Sequence, residues 1–301
     1  MNNQIPHISV CICTYKRLRF LKRLLDDVGA QVTEGQFTYS IVVADNDQLQ
    51  SARPVVSEFR SASPIPVTYC AEPQQNIALT RNRAIANASG DYIAFVDDDE
   101  FPAADWLLCL FKACGQHKAD GVIGSVKPEY EGQPPSWIVR GKFHVRSTYP
   151  TGFVINWRQG RTGNLLFKRS LIKDREQAFR SKFLTGEDQD FFRRMIERGG
   201  VFVWCHEALA REAIPASRWS RSFMLRSALL RGKISLLHPS FRALEFLKST
   251  LAVALYTLAL PIVLLGGQHN FMKYLIKTFY HLGRLLASIG VDLTKGVYVT
   301  E

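Results

Sequence analysis

Through the first two thirds of the chain, short apolar runs alternate with stretches of helical spacing. HISVCICTY (His7–Tyr15) is β-branched and apolar, which predicts a strand buried on both faces. LRFLKRLLDDV (Leu18–Val28) sets Leu18, Leu21, Leu24 and Leu25 on one helical face with charges opposite. SIVVADND (Ser40–Asp47) predicts a second buried strand ending in acids, Ser51–Arg60 a helix, and PVTYC (Pro66–Cys70) a short third strand. IALTRNRAIANAS (Ile77–Ser89) is a helix pattern stopped by Gly90. DYIAFV predicts a fourth strand, Ala103–Cys114 a helix and GVIGSV (Gly121–Val126) a fifth strand. Such alternation predicts βαβ units: an α/β fold with a mostly parallel sheet covered by helices on both faces.

From Lys127 to Phe153 the pattern breaks into Pro, Gly and aromatic residues, too long for an ordinary connection, which predicts a functional loop region. Regular patterning resumes with NLLFKRSLI, a helix over DQDFFRRMIER and a strand over VFVWC (Val201–Cys205).

Composition bounds the class. The 301 residues are 47% hydrophobic and 22% charged, ordinary for a globular protein of one or two domains. No N-terminal stretch pairs a basic region with an apolar one, so a cleaved signal peptide is not expected. Six scattered cysteines without a CxxC predict small core residues in a reducing compartment. The net charge of +11 divides unevenly, with −4 over residues 1–133 and +15 over 134–301. An acidic first half predicts a cation site, and a basic second half a surface for nucleic acid, anionic lipid or a diphosphate.

The acids of IAFVDDDEFP, Asp97, Asp98, Asp99 and Glu100, stand directly behind the fourth strand. In open α/β sheets ligands bind beyond the carboxyl ends of strands. Carboxylates that converge there are costly unless a cation neutralises them, and hard oxygen ligands suit Mg²⁺ or Mn²⁺. The alternative is an acidic N-terminus for the next helix, with Asp99 or Glu100 as its cap.

Six segments in order resemble the family 2 glycosyltransferases, which have the GT-A fold, over roughly Ile8 to Arg218: CTYKR (Cys13–Arg17), ADND (Ala44–Asp47), QNIALTRNRAI (Gln75–Ile85), FVDDDE, TGNLLF (Thr162–Phe167) and GEDQDF (Gly186–Phe191). Within that family they most resemble the succinoglycan-type exopolysaccharide β-glucosyltransferases. The resemblance implies a GT-A catalytic domain over residues 1–220. Its nucleotide-binding half would cover about 1–126 and its acceptor-binding half about 127–220, with a basic and hydrophobic helical tail over 221–301.

It further implies donor contacts from Thr14, Lys16, Asp45, Asn76, Arg81, Asp97 and Asp98. Asp97 would favour ribose, and Asp99 with Asp97 the metal. Lys16 or Arg17 could touch the diphosphate, yet either could be a solvated first-turn charge; Arg81 could equally lie on a helix surface. Asp188 stands where the family's base lies, with Glu187 orienting the acceptor, although an acid-rich first helical turn would look the same in sequence. Asp190 reads as structural. In HEALAREAIPASRW the family's metal-binding His position is filled by Arg211, which leaves His206 or Glu212 as a further ligand, or none.

Arg218–Lys248 is basic, and Ser249–Gln268 runs twenty residues without a charge, long enough to span a bilayer. Gly266 and Gly267 break the pattern before an amphipathic Phe271–Ile289. Basic residues flank the apolar run on both sides, which favours a hairpin or in-plane pair of helices on an anionic membrane surface. A single transmembrane helix and two core helices remain alternatives. The expected activity is metal-dependent, inverting hexosyl transfer, with glucose from a UDP sugar as the expected donor group. The acceptor would be a saccharide or lipid-linked oligosaccharide at the cytoplasmic face of the inner membrane, with the enzyme peripheral or single-span. A nucleotidyltransferase is the rival within enzymes, but CTYKRLRF lacks its Gly-rich loop. A nucleic-acid-binding protein is the rival outside them, and it leaves the acids unexplained, so no nucleic-acid partner is expected.

Overall fold

A computed structural model describes residues 5–174, 177–183, 186–237 and 243–291. Contacts divide the chain into two units: the first holds the residues up to Lys127 and Arg146–Ala213, the second Pro128–Val145 and the chain from Ile214 onward. By contacts, Pro128–Val145 groups with the residues from Ile214 onward rather than with the strands that precede it.

In the first unit, β1 (His7–Thr14), α1 (Leu18–Gly29), β2 (Thr38–Asp45), α2 (Arg53–Ala62), β3 (Val67–Ala71), α3 (Ile77–Ala86) and β4 (Tyr92–Asp97) alternate as the apolar periods predict. β5 (Glu100–Pro102), α4 (Trp106–Gln116), β6 (Gly121–Tyr130), α5 (Ser136–Gly141), β7 (Asn164–Lys168), α6 (Glu187–Glu197) and β8 (Phe202–Ile214) follow. α5 and the ends of β6 and β8 lie in the second unit. The sheet order is β3-β2-β1-β4-β7-β6-β8-β5. The half β3-β2-β1-β4 is parallel. β7 then pairs antiparallel with β4 and β6, and β5 antiparallel with β8, so the sheet as a whole is mixed.

Side-chain alternation along β1 separates two cores. Ile8, Val10 and Ile12 pack with Leu21, Leu24, Val56 and Leu110 from α1, α2 and α4. Cys11 faces the opposite layer, where Ile85, Phe191 and Met195 come from α3 and α6. Phe95, Phe167, Phe179 and Phe191 form a ring stack there that fixes α6 against the sheet.

Two departures shape the site. Glu100–Pro102 is a strand, so α4 begins at Trp106, and neither Asp99 nor Glu100 caps it. β8 also runs far beyond Cys205: the segment His206–Ile214 is extended, and Glu212 faces Glu100 in the β5–β8 register.

In the second unit, α7 (Arg221–Ile234), α8 (Ala243–Leu265) and α9 (Gln268–Ser288) are the long helices. α9 packs against both α7 and α8.

Candidate active site

The carboxyl ends of β1, β2 and β4 lie side by side, with Thr14 opposite Asp45 and Cys13 opposite Asp97 in register. Parallel pairing therefore brings the polar residues that follow each strand to one edge. Thr14 Oγ1 donates to Asp98 Oδ2 at 2.8 Å, and Arg17 Nη1 donates to Asp98 Oδ1 at 2.9 Å and Asp99 Oδ2 at 3.1 Å. Burial pushes the Asp98 carboxyl up to about 6, against the opposing pull of Arg17 and with repulsion from Asp99 adding to it.

At the end of β2, Asp45 accepts from the Asp47 and Ala52 amides and from the Tyr69 hydroxyl. Three donors leave it room for about one more. Asp47 accepts from the Leu49 amide and lies 4.0 Å from Lys16 Nζ, while its buried Oδ2 has no hydrogen-bond partner. Lys16 itself sits at φ 56°, which turns the chain away from the sheet after β1. Asn76 is the N-cap of α3: its Oδ1 accepts from the Ala78 and Leu79 amides, and its Nδ2 donates to the Ser181 carbonyl at 2.8 Å. Its side chain thus ties α3 to the loop at Ser181 and keeps one Nδ2 hydrogen for a further partner.

Arg81 is buried rather than on a helix surface. It pairs with Glu187 and lies 3.6 Å from Asp97 Oδ1. Burial opposes its charge, but Glu187 and Asp97 outweigh burial and raise its pKa. One guanidinium thus bridges an acid at the end of β4 to the first turn of α6. Gly186 takes φ 82°, a left-handed conformation that turns the chain into α6 and sets Glu187 and Asp188 at its N-terminus. Burial pushes the Glu187 carboxyl up to about 7 despite Arg81, and Glu187 Oε2 is buried without a partner. Asp188 accepts from the Gln189 amide at 2.7 Å, and burial raises its carboxyl as well, with Arg81 pulling the other way. Asp190 takes the structural role: it is fully buried and pairs with Arg194 Nε at 2.8 Å and Arg193 at 3.3 Å.

Glu100 is fully buried on β5. Arg146 lies 3.2 Å from Glu100 Oε1 and also pairs with Glu212. Burial holds the Glu100 carboxyl well above the usual range in spite of Arg146. A Cβ on Gly163 would stand 2.7 Å from both Asp97 Oδ2 and Glu100 Oε1, so only glycine leaves that space to the two carboxylates. The next residue, Asn164, is fully buried and ties three elements together. It accepts from Trp106 Nε1 at 2.7 Å and donates to the Ser125 and Ala208 carbonyls at 3.0 and 2.9 Å.

The donor set is all hard oxygen, and Gly163 keeps the approach to Asp97 and Glu100 open, although Arg146 lies against Glu100. These features fit a divalent cation. Among the described residues, however, no three Asp, Glu, His or Cys ligands converge as a closed metal shell. Mg²⁺-type sites commonly use one or two carboxylates and complete the shell with substrate phosphates and water. Two of the expected ligands are placed otherwise. Glu212 is engaged by Arg146. His206 is exposed six residues further back on β8, roughly 20 Å away along an extended chain, where its amide donates to Thr151.

A family profile described as Glycosyl transferase family 2 matches residues 9–181, more than half of the chain. The chain belongs to glycosyl transferase family 2. It is 34% identical over 236 residues to the succinoglycan biosynthesis protein ExoM of Rhizobium meliloti (strain 1021), covering 77% of this chain and 75% of that one. Glycosyltransferase AglE of Haloferax volcanii is 23% identical, over 69% of this chain and 67% of the other. Among solved structures, the mannosyltransferase PcManGT from Pyrobaculum calidifontis, in complex with GDP-Man and Mn²⁺, superposes with a TM-score of 0.65 at 16% identity, covering 98% of this chain and 89% of that one. Staphylococcus aureus TarS 1-349 with UDP superposes at 0.52 and 16% identity, over 95% and 92%. The fold of this family 2 glycosyltransferase is accordingly GT-A.

Three participants escaped the sequence reading as individual residues. Arg146 lies inside the long Lys127–Phe153 break and Arg161 just past it, where no periodic pattern singles out a residue. Arg161 is half-buried near Arg146, Glu100 and Asp188; burial lowers its pKa, and Arg146 adds to that. Gly163 carried a signal, the small residue in TGN, but its meaning depends on carboxylates more than sixty positions away.

Proposed function

We propose that this glycosyltransferase moves a hexose, glucose, from a UDP sugar to a saccharide acceptor carried on a lipid, with inversion at the anomeric carbon. The work would belong to surface polysaccharide synthesis at the cytoplasmic face of the cell membrane. The polysaccharide context is supported by the 34% identity to a succinoglycan biosynthesis protein. The observation that carries the chemistry is the Arg81 bridge, which holds Asp97 at the donor strand end and Glu187–Asp188 at the head of α6 within one buried cluster.

The roles follow from the groups present. Asp188 takes the proton from the attacking acceptor hydroxyl, since its raised pKa makes it a stronger base than an ordinary aspartate. Glu187, clamped by Arg81, orients the acceptor through its unpartnered Oε2. Asp45, with Asp47 Oδ2, receives N–H groups of the nucleobase, and Thr14, Lys16, Arg17 and Asp98 line the path from β1 to the diphosphate. Asp97 and Asp99 would hold Mn²⁺ or Mg²⁺, which when bound neutralises the diphosphate leaving group. One strong base and no second nucleophile suit a direct displacement, hence inversion.

A donor screen tests this reading. Hydrolysis of UDP-glucose, UDP-galactose and GDP-mannose is measured with Mn²⁺, Mg²⁺ or chelator, in detergent. UDP-glucose turnover that disappears with chelator is expected; turnover confined to GDP-mannose, or indifferent to chelation, contradicts it.

A further inference from the structure

α8 is long and apolar enough to cross a membrane, and almost none of it is buried inside the protein. Its outer face carries a stripe, Leu247, Leu251, Leu255, Leu258, Ile262 and Leu265, spaced by three and four residues, with Leu258 75% and Leu265 89% exposed. Such a stripe demands a partner. The neighbours of α8 decide which one. α9 runs back alongside it: Arg284 pairs with Glu245 near the start of α8, and Tyr256 in the middle of α8 touches Tyr274 and the Lys277 ammonium. On its other side α9 meets α7 at a close backbone crossing. There a Cβ on Gly232 would collide with the Tyr280 carbonyl, and one on Gly283 with the Leu229 backbone. If α8 crossed a bilayer, Lys277, which lies against Tyr256 in the middle of α8, would be carried toward the hydrocarbon midplane, a costly place for an ammonium.

We infer that α8 lies in the plane of one leaflet of an anionic membrane, its leucine stripe in the acyl boundary, with α9 and α7 behind it on the aqueous side. Length alone leaves both placements open, since α8 runs 23 residues; the charges on the helices packed beside it decide. The overall charge agrees. From Ile214 to Val291 the sequence holds a single acid, Glu245, against ten Lys and Arg residues, a bias that complements anionic headgroups. This inference refines the membrane placement proposed above and rests on that placement alone; it is independent of which sugar is transferred.

The test uses the full chain carrying an epitope tag after Glu301, added from outside to sealed vesicles of phosphatidylcholine with or without phosphatidylglycerol. The expected result is flotation with the anionic vesicles, weakened by salt, with the tag fully cleavable by external protease. The double variant Leu255→Glu/Leu258→Glu should lose vesicle affinity by about a hundredfold or more while donor hydrolysis in detergent is kept. A protected tag overturns the inference in favour of a crossing helix. Failure to bind either vesicle, with concentration-dependent dimers in sedimentation that the double variant abolishes, overturns it in favour of a second copy on the stripe. The tag readout stands even if the double variant fails to fold, and loss of donor hydrolysis in the wild-type chain would count against the sugar chemistry instead.

Discussion

At the scale of single residues, the decisive groups are carboxylates held at unusual proton affinity by burial. Asp188→Asn removes the proposed base and leaves the Arg81 clamp on Glu187 in place. Donor affinity should stay within about twofold, and kcat should fall by roughly 10² to 10⁴; an equal loss of both would assign Asp188 to donor binding. The sign of the pH dependence follows from burial. As the proposed base Asp188 would act ionised, and burial holds its pKa above the ordinary carboxylate value, so the acid limb of kcat should fall at a higher pH than a solvated aspartate would give. A profile still flat down to about pH 4 would contradict that. Arg81→Met strands Glu187, buried at a carboxyl raised to about 7. At pH 8 this should cost roughly 3–5 kcal/mol in denaturant melts, most of it recovered in Arg81→Met/Glu187→Leu. A single variant as stable as wild type would show that the pair is slack. The sequence made Asp97–Asp99 and Asp188 legible because each stands where a strand or helix meets the site edge. Arg81 was harder, since RNR on a helix reads the same whether buried or solvated, and only the distant Glu187 settles it.

At the scale of elements, Asn164 at the start of β7 shows how the site edge is braced. It joins α4, β6 and β8 through three buried hydrogen bonds. Asn164→Leu leaves the Trp106 indole N–H and two carbonyls without partners, so stability should drop by about 3 kcal/mol or more in denaturant melts. A loss under about 1 kcal/mol would mean that the brace is not structural. The parallel strands β1 to β4 were legible from their continuous apolar runs. β5 was not, because three residues opening on a glutamate carry no periodic signal, and its existence depends on β8 arriving beside it. β8 was half legible: VFVWC reads as strand, while HEALAREAI places small and charged residues where an edge pairing rather than a core face is served.

At the scale of the whole molecule, the acidic first half and basic second half sort onto different jobs. The acids gather at the sheet edge with Arg17, Arg81 and Arg146 as internal counterions. The basic excess belongs mainly to the unit of α7, α8 and α9 and to the residues leading into it. Nothing in the sequence of Pro128–Val145 declares that it packs with the tail, since the aromatic contact that joins them, Tyr130 with Trp219, is made across more than eighty positions.

Binding of a sugar nucleotide at the acidic strand end through a divalent cation underlies every role proposed above. Isothermal titration calorimetry of UDP-glucose into the full chain, with Mn²⁺ and then with chelator, tests it most directly. The account predicts binding with Mn²⁺ that weakens at least about tenfold on chelation, and loss of that ion dependence in Asp99→Ala. Equal affinity with and without the ion, or no binding heat in either condition, would contradict it.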